Sequence, residues 1–194
     1  PKDIPNQKVE KIGILGAGMM GAGISYVSAL AGIKVVLLDM KEEDAQKGKV
    51  HAENLLNVGL KRKKIDEKKK SAVLDLICPT TKFEDLKDCD LIVEAVFEDP
   101  AVKAEVTKKA EAIIDKNCIF ASNTSTLPIT SLASASERPE QFIGIHFFSP
   151  VDKMLLVEII KGSVTGDVAV AKALDYVRQI KKTPIVVNDA RFFY

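Results

Sequence analysis

The sequence predicts an α/β fold in which one mainly parallel sheet is doubly wound, with helices on both faces. Two observations support this prediction: short apolar runs alternate with longer helical patterns, and a glycine-rich turn follows the first apolar run. Parallel strands need crossovers of a dozen or more residues, and the intervening segments are long enough to supply them. With 194 residues, 46% of them hydrophobic, the chain can form one domain with a sizeable core.

The first half of the chain opens with a strand, a tight turn and a buried helix of small apolar residues. Its later strands are indicated by clusters of β-branched and leucine residues. The predicted elements, in order, are a strand at 11–15, a helix at 20–31, a strand at 34–38, a polar helix from about 41 to 60, a helix from about 66 and a strand at 90–93.

The second half continues the alternation. Pro100 stands where a first helical turn accepts proline, and apolar residues recur behind it at helical spacing. After this helix we predict strands at 119–121, 142–146 and 155–160, a helix at 167–180 and a closing strand at 185–187.

Charge and cysteine content exclude several classes of function. The chain has 28 Lys and Arg against 27 Asp and Glu, so it gives no global electrostatic reason to expect a nucleic-acid or membrane partner. No apolar run approaches the roughly 20 residues of a membrane span. Cys78, Cys89 and Cys118 lack metal-ligand spacing, which predicts buried, reduced thiols, no metal site and a cytoplasmic location.

Residues 16–21 form a GxGxxG pattern, which alone is weak evidence because glycine-rich turns are common. Here the pattern follows a predicted strand, opens a helix and precedes an acidic residue about 20 positions on, as a Rossmann-type dinucleotide fingerprint requires. Gly16 would permit the tight turn, Gly18 the close approach of a pyrophosphate, and Gly21 the packing of helix on strand. The alternative is a glycine-rich turn without a nucleotide.

The acidic residue is Asp39, at the end of the second predicted strand. Its carboxylate would accept hydrogen bonds from the adenosine ribose and would repel a 2′-phosphate. The sequence therefore predicts NAD as the cofactor, although Lys41 nearby weakens the preference over NADP.

Four phrases, in order, resemble the 3-hydroxyacyl-CoA dehydrogenase family. They resemble most closely the dehydrogenase part of the multifunctional fatty-acid oxidation α-subunits. The phrases are GAGMMGAGI at 16–24, IVEAVFED at 92–99, SNTSTLPI at 122–129 and GIHFFSPVDKMLLVEII at 144–160. The resemblance implies NAD-dependent oxidation of (S)-3-hydroxyacyl-CoA to 3-ketoacyl-CoA in fatty-acid β-oxidation.

The resemblance implies that His146 is the general base, that Glu158 holds it, and that Ser125 hydrogen-bonds the reacting oxygen. The chemistry agrees, because a histidine titrating near neutral pH can take the hydroxyl proton and a carboxylate can stabilise the imidazolium. The alternatives are a core histidine, a solvated strand glutamate, and a serine that caps a helix around Thr130.

The same resemblance implies cofactor contacts beyond the glycine turn and Asp39. The implied residues are Met20, Val96, Phe97, Glu98, Lys103, Ser125 and Ser149. Lys103 has an alternative as a solvated helix lysine. Ser149 stands where single-function members of the family carry Asn, so a hydroxyl replaces an amide there.

The dense basic stretch at 61–70 has two readings, a contact with the phosphates of an acyl-CoA substrate, with Lys61 as the candidate, or a solvated helical hairpin. His51 has no evident partner, and we expect it to be exposed.

We predict an NAD-binding domain at 1–188 and, at 189–194, the start of a linker to a helical substrate and dimerisation domain. Phe192 stands where the family has glycine. Without that second domain we expect little or no turnover, and we expect the full-length protein to be oligomeric through it. Two other functions remain open: a 3-hydroxybutyryl-CoA dehydrogenase of another pathway, and a non-catalytic NAD-binding module.

Overall fold

The computed structural model describes residues 3–189, so the predicted linker beyond Asp189, including Phe192, lies outside the described residues. The strands are β1 (Lys11–Leu15), β2 (Lys34–Leu38), β3 (Ile77–Thr80), β4 (Leu91–Glu94), β5 (Ile119–Ser122), β6 (Phe142–Phe147), β7 (Leu156–Lys161) and β8 (Thr183–Asn188). The helices are α1 (Met19–Leu30), α2 (Glu42–Lys61), α3 (Glu67–Asp75), α4 (Pro100–Glu111), α5 (Ile129–Ala133) and α6 (Asp167–Gln179), with 3₁₀ helices at Phe83–Leu86 and Pro139–Gln141.

The strands form one sheet in the order β3-β2-β1-β4-β5-β6-β7-β8. The first six are parallel, β7 runs antiparallel to β6, and β8 runs parallel to β7. The order 3-2-1-4-5-6 is that of a Rossmann fold, which confirms the predicted fold class. Because β1, β4, β5 and β6 are parallel, their carboxyl ends lie at one edge of the sheet.

The core has two layers, one on each face of the sheet. Ile24 of α1, Leu56 of α2 and Tyr176 of α6 pack into one layer, and Val106 of α4 and Leu132 of α5 pack into the other. Every residue of β4 and β5 is buried, as expected for strands covered on both faces. The central strands are therefore held firmly on both sides.

The start of α4 has the geometry that its sequence predicts. Asp99 accepts hydrogen bonds from the backbone N–H groups of Ala101 and Val102 at 2.8 and 3.0 Å, and Pro100 occupies the first turn. A side-chain acceptor before a first-turn proline is a strong start signal for a helix.

Three expectations from the sequence are wrong. Strand β3 was not predicted, because it is a short strand at the sheet edge that contains Pro79. Cys78 lies on this strand and is exposed, whereas Cys89 and Cys118 are buried as predicted, and burial raises the pKa of both buried thiols to about 12. His51 is half-buried rather than exposed, because it lies on the side of α2 that borders a depression lined also by Ala17, Gly18 and Asp39.

Within residues 3–189, no helix is long and apolar enough to cross a membrane.

Candidate functional site

The glycine-rich turn joins β1 to α1 at the carboxyl edge of the sheet. Gly16 has a φ of +97°, and a Cβ there would lie 2.6 Å from the carbonyl oxygen of Ala95. A Cβ on Gly21 would lie 1.7 Å from the carbonyl oxygen of Gly16, whereas one on Gly18 would meet no atom within 4 Å. Gly16 and Gly21 are thus required by the fold itself, whereas Gly18 faces open space.

Asp39 follows β2 and is tied to this turn. Its carboxylate accepts the backbone N–H of Ala17 at 2.8 Å and that of Met40 at 2.7 Å. A carboxylate has about four acceptor positions, so two hydrogen bonds from the backbone leave room for ribose hydroxyls.

A cavity of about 320 Å³ lies beside the turn, at the carboxyl ends of β4, β5 and β6. It brings together seven of the residues implied by the sequence. They are Met20, Val96, Glu98, Lys103, Ser125, His146 and Ser149. The rest of its lining comprises Ala95, Asn123, Phe147 and Phe148.

His146 lies near the end of β6, directly across the strand pair from Glu158 of β7. Cβ atoms of such partners lie roughly 4.5–5.5 Å apart. Glu158 is buried, at 7% exposure, yet no hydrogen bond or ion pair joins the two side chains among the described residues. The buried Nδ1 of His146 has no partner within residues 3–189. The strand register thus places the two residues side by side, without a hydrogen bond between their side chains.

The pKa of His146 is lowered from its ordinary value. Burial is the main cause, because it disfavours the charged imidazolium, while the carboxylates of Glu158 and Glu98 act in the opposite direction. The imidazole is therefore neutral near pH 7 and has the form that can accept a proton.

Ser125 is held by Glu98. The carboxylate of Glu98 accepts the backbone N–H of Ser125 at 3.0 Å, its hydroxyl at 3.3 Å and the hydroxyl of Thr124 at 2.7 Å. Burial acts to raise the pKa of Glu98, but these hydrogen bonds and the Lys103 ammonium outweigh it and lower the pKa. Glu98 is thus an anion that fixes the backbone on which Ser125 stands.

The helix-cap alternative for Ser125 is wrong. The first N–H groups of α5, those of Ile129 and Thr130, donate to the carboxylate of Asp189 at 3.0 and 2.7 Å. Asp189, which follows β8, is the capping residue of this helix.

Lys103 is 3% exposed, so the alternative of a solvated helix lysine is also wrong. Its Nζ lies 2.6 Å from a carboxylate oxygen of Glu94, 3.4 Å from one of Glu98 and 3.3 Å from the carbonyl oxygen of Val96. Lys103 lies between two carboxylates at the wall of the cavity.

Sequence reasoning missed two residues of the site. Glu94, at 1% exposure, ends β4 and also accepts the hydroxyl of Ser122 at 2.7 Å and the N–H of Val96 at 3.0 Å. Asn123 accepts the N–H of Phe147 at 2.8 Å and so joins the ends of β5 and β6. A glutamate that directly follows three apolar strand residues was the available signal for Glu94.

A second cavity, of about 510 Å³, lies on the other side of the turn and is lined by Gly16, Gly18, Asp39, Met40 and Phe97 among others. Ala95 and Val96 line both cavities, so the cavity beside the turn and Asp39 is a neighbour of the cavity of His146. Phe97, at 78% exposure, stands at the surface of this second cavity.

Ser149 and Lys61 differ in their relation to the site. Ser149 is exposed at the cavity wall, where its hydroxyl lies 3.9 Å from the sulfur of Met19. Lys61 is exposed at the end of α2, and the residues that follow it border an open depression lined by Lys63, Lys64 and Lys69. This basic stretch is separate from the set of residues that line the cavity.

A Rossmann sheet with this turn, an acid after β2 and a polar cavity at the strand ends defines the class of dinucleotide-binding domains. The comparison with known families makes the class specific. Residues 11–190 match the family described as 3-hydroxyacyl-CoA dehydrogenase, NAD binding domain, and the chain belongs to this family.

Individual relatives agree. The chain is 44% identical over 187 residues to a fatty acid oxidation complex subunit alpha of Idiomarina loihiensis, covering 96% of this chain and 26% of that protein. It is similar to the solved structure of an (S)-3-hydroxybutyryl-CoA dehydrogenase of Ralstonia eutropha, with a TM-score of 0.93, 37% identity and coverage of 96% and 66%. It is also similar to the solved structure of the dehydrogenase part of a multifunctional enzyme of C. elegans, with a TM-score of 0.85 and 34% identity. That match covers 96% of this chain and 43% of the other.

The chain therefore spans about a quarter of the curated relative and about two thirds of the first of these structures.

Proposed function

We propose that the protein containing this chain oxidises (S)-3-hydroxyacyl-CoA to 3-ketoacyl-CoA with NAD, in fatty-acid β-oxidation, with His146 as general base. The observation that carries the proposal is the single cavity that brings His146 and Ser125 together with Glu98, Lys103 and the glycine-turn side of the fold. Hydride removal from a carbinol carbon needs a base for the hydroxyl proton, and a neutral imidazole suits that role.

Three side chains carry out the chemistry. The exposed edge of His146 takes the proton, and Glu158 stabilises the imidazolium that results. The Ser125 hydroxyl turns from Glu98, 3.3 Å away, to donate to the reacting oxygen. The buried Nδ1 of His146 supports the role of Glu158, because a buried polar atom needs a partner and Glu158 is the cross-strand neighbour of His146. NAD, when bound, supplies the hydride acceptor.

The cofactor is held by residues on both sides of Val96. Gly16, Gly18 and Gly21 admit the pyrophosphate, and Asp39 accepts the ribose hydroxyls. Met20, Val96, Phe97, Glu98, Lys103, Ser125 and Ser149 line the nicotinamide half. Support comes from the lining of the two cavities, which share Ala95 and Val96.

Residues 1–188 form the NAD-binding domain of this enzyme, and a helical domain that follows in the full-length protein covers the acyl chain and forms the dimer. The coverage of the relatives supports this division. Lys61 contacts the phosphates of coenzyme A, and turnover by residues 1–194 alone is slow.

The test is NADH consumption with acetoacetyl-CoA by the full-length protein. His146→Ala should lower the rate by 10²-fold or more, the scale of a general base. Glu140→Gln, which changes an exposed residue that lines neither cavity, is the control and should leave the rate unchanged. Equal rates for His146→Ala and the unmodified protein would contradict the proposal and favour a non-catalytic NAD-binding module.

A second candidate is a 3-hydroxybutyryl-CoA dehydrogenase of another pathway, favoured by the name of the Ralstonia eutropha structure. The two candidates differ in acyl chain length. Measuring kcat/KM over 3-ketoacyl-CoA substrates of four to sixteen carbons distinguishes them, because a β-oxidation enzyme keeps its activity on the long members of the series.

A further inference from the structure

Three charged side chains form a cluster at the ends of β4 and α4, which we call the acid–lysine cluster: Glu94, Lys103 and Glu98. One ammonium serves two carboxylates, at 2.6 Å from Glu94 and 3.4 Å from Glu98. With all three groups ionised, the cluster carries a net charge of −1.

The negative charge is unevenly placed. The side chain of Glu94 is 1% exposed and pairs closely with Lys103, whereas that of Glu98 is 35% exposed. Glu98 and Lys103 line the cavity together with His146, and Glu94 does not. Because the Lys103 ammonium lies closer to Glu94 than to Glu98, the excess negative charge of the cluster falls mainly on Glu98.

We propose that Glu94 is a positioning residue that holds the Lys103 ammonium closer to itself than to Glu98 and thereby keeps a net negative charge at the nicotinamide end of the cavity. This inference rests on the proposed function, because it requires the nicotinamide to lie beside His146. The oxidised nicotinamide ring carries a positive charge and the reduced ring none. The cluster therefore raises the affinity for NAD⁺ relative to NADH.

The test compares dissociation constants for NAD⁺ and NADH, measured by calorimetry. In Glu94→Gln the cluster becomes neutral, because Lys103 turns to Glu98 as its remaining carboxylate. The ratio Kd(NAD⁺)/Kd(NADH) should rise about fivefold to tenfold, the size expected for one charge in a partly screened site. A purely structural role would weaken both forms equally and leave the ratio unchanged.

Two further variants separate charge from folding. Glu94→Gln/Lys103→Met removes the buried pair together, which avoids an unpaired buried ammonium, and restores a charge of −1. Its ratio should return to that of the unmodified chain. Glu98→Gln changes a half-buried residue that folding tolerates better, leaves a neutral Glu94–Lys103 pair, and should raise the ratio as much as Glu94→Gln does.

The control is Glu53→Gln on α2, which also removes a carboxylate paired with a lysine, Lys70 at 3.7 Å, but does not line the cavity. Its ratio should stay unchanged. An unchanged ratio in Glu94→Gln or Glu98→Gln, or a double variant that fails to restore it, would overturn the role of Glu94 while the cofactor site stands. Failure of the unmodified chain to bind either form would overturn the cofactor site of the proposed function as well.

Discussion

Strand register makes His146 and Glu158 neighbours, and two opposite effects act on the pKa of His146. Burial lowers the pKa of the imidazole, and the Glu158 carboxylate acts against this effect. A neutral imidazole takes the proton best, whereas the imidazolium formed during the reaction needs the carboxylate. Under the proposed function, Glu158 acts in the transition state, when the positive charge appears on the ring.

Glu158→Gln is expected to change both the rate and its pH dependence. The rate of hydroxyacyl oxidation falls as the pH drops through the His146 pKa, because the protonated ring cannot accept a proton. Without the Glu158 charge, that pKa is lower still, so the acid limb of kcat/KM moves to lower pH. The plateau should fall on the order of tenfold or more. Exposed Glu140→Gln is the control, and a lowered plateau with an unmoved acid limb would contradict this role.

Ser125→Ala should lower kcat on the order of tenfold, the scale of one hydrogen bond to a reacting group. The backbone N–H of Ser125 still donates to Glu98 in this variant, so folding should be unaffected. Ser134→Ala, which removes an exposed hydroxyl bonded to its own helix, is the control. A kcat for Ser125→Ala equal to that of the control would return Ser125 to an ordinary loop residue.

At the scale of elements, Gly18 and Gly21 have different roles in the turn between β1 and α1. A Cβ on Gly21 collides with the backbone of the turn, and one on Gly18 enters open space. Gly21 is therefore needed for the packing of the turn, and Gly18 keeps the space in front of the turn open.

Gly21→Ala should therefore lower the stability of the fold by about 1–3 kcal/mol, the cost of overpacking, and weaken NADH binding as the turn distorts. Gly18→Ala should leave the melting temperature close to that of the unmodified chain and still weaken NADH binding. Thermal unfolding and NADH fluorescence titration measure the two effects. If both variants lose stability equally, or if Gly18→Ala binds NADH normally, the division of roles is wrong.

Across the whole molecule, most of the fold was predictable because strands buried on both faces are strongly apolar and the crossovers are helical. β2 was predicted with its observed bounds. The reversal of β7 was not predictable, because a run of apolar residues does not record the direction of its neighbour. Strand β3 was not predicted because a strand at the edge of the sheet needs fewer apolar residues.

Residues of the candidate site were predictable where their order in the sequence forms a motif. They were not predictable where their role depends on contacts between residues far apart in the sequence. The glycine turn and Asp39 follow from their spacing together with the predicted strands and helix around them, whereas His146 and Ser125 needed the family resemblance. Glu94 was missed because a buried carboxylate is intelligible only once Lys103, from another element, is seen to reach it at 2.6 Å. Asn123 was missed for the same reason, since its partner lies on the next strand.

The hydrogen bond from Ala17 N–H to Asp39 holds the glycine-rich turn to the end of β2. Under the proposed function, the same side chain also repels a phosphorylated ribose. Truncating Asp39 to remove that repulsion would also remove the hydrogen bond to Ala17. A simple substitution would therefore loosen the turn that every nicotinamide dinucleotide needs. A redesign toward NADP would have to keep an acceptor at position 39, as Asn or Ser does, and place the new cation elsewhere, with Lys41 already nearby.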